Sequence, residues 1–381
     1  SIYQYSWFLF AFALQKQFQW TLDTIGLTFT VFTYGATFIQ PFSGFIADSY
    51  GPRKVAITAS FLAGIGLVLA ATVDTPLLLY IYYGGGGIGV GVLYGISTAC
   101  AIKWFPDRRG FATGLVVFGF GAGTAIFNWH IQGVLESKGL PATWFYLGIL
   151  MLITLVPLCL FYRYPPPNEA ASNASNQEAR ATATDYKPGE MLQSYQWYLI
   201  YFCFTFTVSI VLIFGAQMKM VAKEFHLPQN YFNILLFLFP LGNGLSRVVA
   251  GFISDRIGRA KTMVTFYTLL AFSIFGFVFF AKIPMLFVFF VFVAALLGGA
   301  PFALYPATVG DYYGARYATT NYGITYTAKA LAGLISGWLS GYLVMQLGSF
   351  RVPLLLVAVG SLLAAVLSAP KLLKPPRRID I

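Results

Sequence analysis

Two lone cations stand inside long apolar runs, Arg247 in LFLFPLGNGLSRVVAGFISD and Lys329 in YGITYTAKALAGLISG. No Asp or Glu stands inside any such run. A charged side chain at bilayer depth costs roughly 2.5 to 3.5 kcal/mol on insertion scales, so it persists only beside a polar cavity or a partner. With no protein carboxylate at hand, the partner expected for both is an anionic ligand. Arginine offers a planar fork of donors that fits a carboxylate, and lysine a compact ammonium.

Depth follows from counting inward from the cytoplasmic helix ends. Arg247 lies ~12 Å before Asp255, Tyr94 ~14 Å before Lys103 and Lys329 ~16 Å after Ala318, which sets all three near the midplane. Asn243 precedes Arg247 by four residues and Tyr326 precedes Lys329 by three, so each shares the helical face of its cation. Guanidinium, ammonium, amide and phenol hydroxyls make a donor set suited to a carboxylate. Blander readings stand beside this one. The two cations could snorkel, Asn243 could bond the backbone freed by Pro240, and the tyrosines could serve packing or interface anchoring.

The elements that position these residues are membrane helices. Hydrophobic residues make up 58% of the 381 and charged residues 10%, with a mean hydropathy of +0.71; soluble domains carry about 25% charged residues. Apolar segments fall at about 1–14, 24–47, 55–73, 77–102, 110–133, 143–162, 195–218, 229–253, 262–281, 284–309, 318–346 and 350–369. The expectation is an all-α polytopic protein with twelve transmembrane helices in two six-helix bundles. Fourteen residues reach only about 21 Å of a ~30 Å core, and the chain lacks an initiator Met, so the start of the first helix is expected to be missing.

Net charge is +11. Placing helix ends on alternate sides puts sixteen Lys and Arg on one side and six on the other, with two buried. Topology thus accounts for the positive charge without nucleic acid. The richer side reads as cytoplasmic, with both termini there and the chain in the inner membrane. Cys100, Cys159 and Cys203 lack metal-ligand spacing and read as packing residues. No cofactor or metal is expected.

An internal repeat orders the chain. GFIADSYGPRK at 44–54 returns as GFISDRIGRAK at 251–261, a constant offset of 207 that pairs Gly44 with Gly251, Asp48 with Asp255 and Gly51 with Gly258. A weaker echo at offset 211 pairs Tyr94 with Tyr305. The expected organisation is a bundle over 1–162, a polar cytoplasmic linker over 163–192, a second bundle over 193–370 and a tail over 371–381.

These loops, WFPDRRG at 104–110 and the six-plus-six plan resemble the major facilitator superfamily across the whole chain. The second loop is a near-complete signature through Gly251, Asp255, Arg256, Gly258, Arg259 and Lys261. The first departs from it, with Ser49 where a basic residue is usual and Pro52 before Arg53. The cation pair, YGI at 94–96 and NYGITYTAKA at 321–330 look like its monocarboxylate porter and oxalate:formate antiporter branch. The resemblance implies cavity-lining roles for Tyr3, Gln4 and Tyr5 in IYQYSW. It also implies charge relays at a cytoplasmic gate through Asp48, Arg53, Asp255, Arg256 and Arg259; anchoring plus helix termination at Gly51 and Gly258 is the plainer reading.

Other patterns carry less. YYGGGGIGVGVLYG at 82–95 lacks the strand and acidic partner of a nucleotide site. Gly333, Gly337 and Gly341 recur every four residues, as in close-packed membrane helices. His130 and His226 are unpaired at ligand spacing. A membrane enzyme is disfavoured, because no aspartate-rich motif, deep Ser/His pair or Walker sequence is present.

The function expected from the sequence is secondary transport of small lactate-like monocarboxylates by alternating access. It would be coupled to a proton carried on Lys329, because arginine stays protonated, in a lipid-embedded chain working as a monomer. The alternative is an oxalate:formate-type antiporter with a counter-anion, since two permanent cations match a dianion. Asn243 stands where proton-coupled relatives carry an acid, and GGAPFALYPA is short of bulky aromatics, so a roomy pocket is expected.

Overall fold

A chain in hydrocarbon must satisfy every backbone N–H and C=O within itself, and helices do so within one segment. The computed structural model describes residues 1–105, 109–165, 185–314 and 317–376, leaving the side chains of 44, 45, 48, 49, 102, 109–111, 113, 318 and 319 undescribed. No strand occurs among the described residues.

Nine described helices are long and apolar enough to cross a membrane. One of them, Gly114–Cys159, has 46 residues, about 69 Å at 1.5 Å per residue. It breaks at Gly139 (φ 78°), so it supplies the fifth and sixth passes. The first pass is Ile2–Tyr5 and Trp7–Phe18, interrupted at Ser6, and the twelfth is Arg351–Leu367. Twelve passes result among the described residues. Below, the end carrying 163–192 is the linker end and the opposite one the far end.

Span 3 (Pro52–Ala70) packs on span 4 (Pro76–Trp104) and span 6, and span 9 (Arg259–Phe280) packs on spans 10 and 12. The halves meet where span 7 (Tyr195–Glu224) lies on span 1, span 11 on span 2 (Leu22–Phe38 and Gln40–Tyr50) and span 5 on span 8 (Gln229–Ile257). The repeat is visible in the backbone. Gly51 (φ 84°, ψ 141°) and Gly258 (φ 90°, ψ 155°) end the second span of each half in a left-sided conformation that side chains rarely adopt.

Spans 10 and 11, which look continuous in sequence, are among the broken ones. Span 10 is Pro284–Gly298 and Pro301–Tyr313, because Pro301 has no N–H to continue the ladder. Span 11 is Ala318–Tyr326, Ala328–Leu334, a π-helix Ile335–Leu339 and Ser340–Leu347. Its small residues lie against span 2. A Cβ on Gly337 would fall 2.4 Å from the Gly26 carbonyl oxygen, and one on Gly341 would fall 2.6 Å from that of Leu22.

At the linker end, the Tyr186 N–H donates to the Tyr313 carbonyl (2.9 Å) and its own carbonyl accepts from Asn321 Nδ2 (3.1 Å). The close of the linker is thereby docked between spans 10 and 11.

Candidate functional site

The breaks in spans 1, 10 and 11 surround the two buried cations. Arg247 is 4% exposed and Lys329 2%. Arg247, on the span 8 helix Gln229–Ile257, donates through Nη1 to the Val117 carbonyl of span 5, and Nη2 lies 3.5 Å from Asn243 Oδ1. Lys329 Nζ donates to Gln4 Oε1 of span 1 at 2.9 Å and lies 3.4 Å from Tyr326 Oη. Among the described residues neither cation has a carboxylate within ion-pair distance.

Aromatic rings enclose the pair. Phe302, just after the break in span 10, has its centroid 4.7 Å from the Arg247 guanidinium carbon and 6.0 Å from Lys329 Nζ. Phe120 and Tyr326 lie 5.7 and 5.5 Å from the same ammonium. Tyr94 stacks on Tyr326 (6.1 Å) and meets Phe120 edge-on (4.9 Å). Tyr5 meets Phe120 edge-on (6.2 Å), and Tyr322 meets Tyr326 edge-on (5.7 Å). Ring faces stabilise cations while leaving their hydrogen-bond donors available.

Several buried donors have no partner among the described residues: Arg247 Nε, Asn243 Nδ2, Gln4 Nε2 and Tyr322 Oη. A buried unsatisfied group costs about 1–3 kcal/mol. Donors with unspent capacity around two cations fit an acceptor-only anion, which a carboxylate is.

The structure brings together Arg247, Lys329, Asn243, Tyr94, Tyr326 and Tyr5. It does not bring in Tyr3 or Tyr305. Tyr3 Oη donates to the Ala63 carbonyl at 2.6 Å, with its ring against Tyr83 and Phe32 inside the first half. A Cβ on Gly86 would lie 2.1 Å from that hydroxyl, so part of the glycine-rich run in span 4 makes room for it. Tyr305 packs on Phe204 and Tyr267, behind the ring that contacts Phe302.

Phe302, Phe120 and Tyr322 were not visible as site residues in sequence. Phe302 overturns the expectation that GGAPFALYPA leaves the pocket short of aromatics: just after the break at Gly299 and Ala300, this single ring comes within reach of both cations. The amide of Asn243 does not bond the carbonyl freed by Pro240, because Asn128 Nδ2 does (3.2 Å to Leu236 O).

At the linker end, Arg259 donates through Nη1 to Asp255 (2.6 Å) and Ser254 (2.8 Å) and through Nε to Asp311 (3.1 Å). This ties the ends of spans 8, 9 and 10 within one half. Asp311 had no motif to announce it. Arg256 lies over the Phe252 ring at 4.0 Å, Arg53 is exposed, and nothing meets a Cβ built on Gly251. The side chain of Asp48 and the surroundings of Gly44 lie outside the described residues.

The family model described as Major Facilitator Superfamily matches residues 1–216 and 197–380. The chain is 29% identical over 381 residues to the "Oxalate:formate antiporter" of Oxalobacter formigenes, covering 99% of this chain and 90% of that protein. It is 32% identical over 377 residues to the "Uncharacterized 38 kDa protein in 23S RNA operon" of Thermoproteus tenax, with coverages of 99% and 93%. Similarity to the "Probable sulfoacetate transporter SauU" of Cupriavidus necator is 24% over 392 residues, with coverages of 96% and 89%.

Proposed function

Because the chain belongs to the Major Facilitator Superfamily, and is therefore a membrane transporter and not an enzyme, we propose that it exchanges small carboxylates in the manner of an oxalate:formate antiporter. The observation that carries this is one ring, Phe302, within cation–π reach of two cations that have no acidic partner among the described residues. A dianion would neutralise Arg247 and Lys329 together, whereas a monoanion would neutralise one. Alternating occupancy by the two classes gives an exchange cycle without an intramembrane acid. The enclosing rings favour a compact substrate over a lactate-like one. The similarity to an oxalate:formate antiporter over nearly the whole chain supports the same choice.

In this reading Arg247 grips one carboxylate as a bidentate fork, Lys329 the other end, and Asn243, Tyr5, Tyr94 and Tyr326 complete the donors. The bundles 1–162 and 193–370 rock about this point, with 163–192 as their tether and 371–381 as a tail, and one chain suffices. The excess of Lys and Arg at the linker end supports cytoplasmic termini in the inner membrane. The Arg259 clamp on Asp255 and Asp311 stiffens one half of the cytoplasmic gate. Asp48, Gly44, Gly51 and Arg53 are proposed to serve the other half.

The test is counterflow in proteoliposomes loaded with formate, oxalate, lactate or acetate. Labelled oxalate accumulating only against an internal carboxylate supports exchange. Accumulation on an imposed pH gradient with empty vesicles, lost in Lys329→Gln, would establish proton symport through Lys329 instead.

A further inference from the structure

The six cations at the far end are not spread evenly. Lys219 and Lys223 occupy successive turns of one face of the span 7 helix Tyr195–Glu224. Lys219 Nζ lies 4.9 Å from the Phe12 ring of span 1 and 5.6 Å from the Phe232 ring of span 8, and Lys223 Nζ lies 5.8 Å from Phe12. Lys16 lies four residues after Phe12 on the helix Trp7–Phe18 and so shares its face. Phe12 and Phe232 belong to opposite halves, so half-buried Lys219 faces the seam that must open.

Nearby acids are engaged elsewhere. Glu136 acts on Lys219 through space, yet its carboxylate accepts from Gln132 Nε2 at 2.8 Å. Glu224 is held by Ser349 Oγ (2.6 Å) and the Phe350 N–H (2.9 Å). Among the described residues Lys219 forms no ion pair. One turn deeper, span 7 touches the backbone of Gln4, where a Cβ on Gly215 would lie 3.3 Å from the Gln4 carbonyl oxygen. Gln4 in turn holds Lys329. Lys219, on Phe12, thus stands about 12 Å along span 1 from Gln4, the residue that holds Lys329.

We propose that Lys219, flanked by Lys16 and Lys223, is a second carboxylate site that captures small anions from the far face and passes them to Lys329. With the far end shut, the ammonium rests on the faces of Phe12 and Phe232. Opening separates these rings, and an arriving carboxylate replaces them as its partner. A cationic mouth raises the local anion concentration and the capture rate. This rests on the carboxylate reading above.

The test compares right-side-out and inside-out membrane vesicles carrying the wild type, Lys219→Met, which keeps an apolar stem between the rings, and Lys219→Arg. For oxalate offered at the far face, Lys219→Met is expected to raise KM about five-fold or more, the order expected for a lost steering charge. Its kcat and its KM from the linker face should stay as in wild type. Lys219→Arg should restore the far-face KM, and the difference should shrink at high salt. The comparison is repeated in phosphatidylcholine alone and with anionic lipid added; an effect confined to the latter would assign the lysine to lipid headgroups and overturn the proposal. Equal KM changes at both faces, or none, would overturn it too, while the carboxylate reading stands. A wild type that carries no carboxylate from either face would end both.

Discussion

The side-chain amide of Asn128 donates to the carbonyl of Leu236 at 3.2 Å, the acceptor that Pro240 leaves without an i+4 donor in span 8. The same amide reaches the Tyr5 carbonyl at 3.2 Å, and its Oδ1 accepts from Ser6 Oγ at 2.6 Å, where span 1 is broken. One buried residue of span 5 therefore satisfies two helix defects that lie in opposite halves. Thr30 acts similarly for span 11. Its hydroxyl donates to the Gly333 carbonyl (3.1 Å) and accepts from the Trp338 N–H (3.2 Å), on either side of the start of the π-helix. Gln217 of span 7 covers the Ser336 and Gly337 carbonyls, each at 3.1 Å.

Because the Asn128 bond to Leu236 joins span 5 of one half to span 8 of the other, Asn128→Leu should favour opening of the halves at the far end. Two carbonyls lose a donor at about 1–3 kcal/mol each. Increased labelling of a cysteine placed at Ala11 by a membrane-impermeant reagent from the far face is the expected outcome, with a lower melting temperature in detergent. Unchanged labelling would mean that the latch carries no bias.

Arg247→Lys should lose about 100-fold or more in kcat/KM for oxalate, as one ammonium cannot reproduce two parallel bonds to a carboxylate. Arg247→Ala should still insert and purify as folded protein, because it removes a buried charge without leaving an acid behind. Full uptake by the lysine variant would refute bidentate recognition.

Phe302→Ala should change selectivity more than rate. Removing the ring that contacts both cations opens space beside them. The KM for oxalate is expected to rise about ten-fold, the equivalent of ~1.4 kcal/mol, while longer dicarboxylates such as succinate gain. A constant oxalate-to-succinate ratio of kcat/KM would remove Phe302 from the specificity apparatus.

The contrast between Arg247 and Phe302 shows what sequence could reveal. A guanidinium in an apolar run announces itself by its cost, and the repeated Gly51 and Gly258 announce themselves by a shared offset. Both were legible. Phe302 is one of 38 phenylalanines, and nothing in its type separates a ring on a cation from a ring on lipid. Its role depends on the tertiary break before Pro301. Tyr3 and Tyr94 are equally alike in sequence, yet span 4 glycines draw the first into the bundle while the second faces the cations. Asn128 was invisible for the same reason: the carbonyl it satisfies lies 108 positions away.

Gly337→Ala should stop turnover while leaving binding intact. The added carbon would sit 2.4 Å from the Gly26 carbonyl oxygen and 2.6 Å from Thr30 Oγ1. The first neighbour is backbone, so no rotamer change relieves the clash and spans 2 and 11 must move apart. That contact belongs to the shut far end, whereas an open far end does not require it. The variant is therefore expected to bind oxalate from the far face with near-normal affinity, to label strongly at Ala11→Cys, and to lose counterflow. Gly85→Ala is the control, because nothing lies within 4 Å of the carbon it adds; it should transport as wild type does. If Gly337→Ala transports normally, the close approach of spans 2 and 11 is not needed for closure. If it fails to insert while Gly85→Ala inserts, the contact belongs to folding and not to the transport cycle.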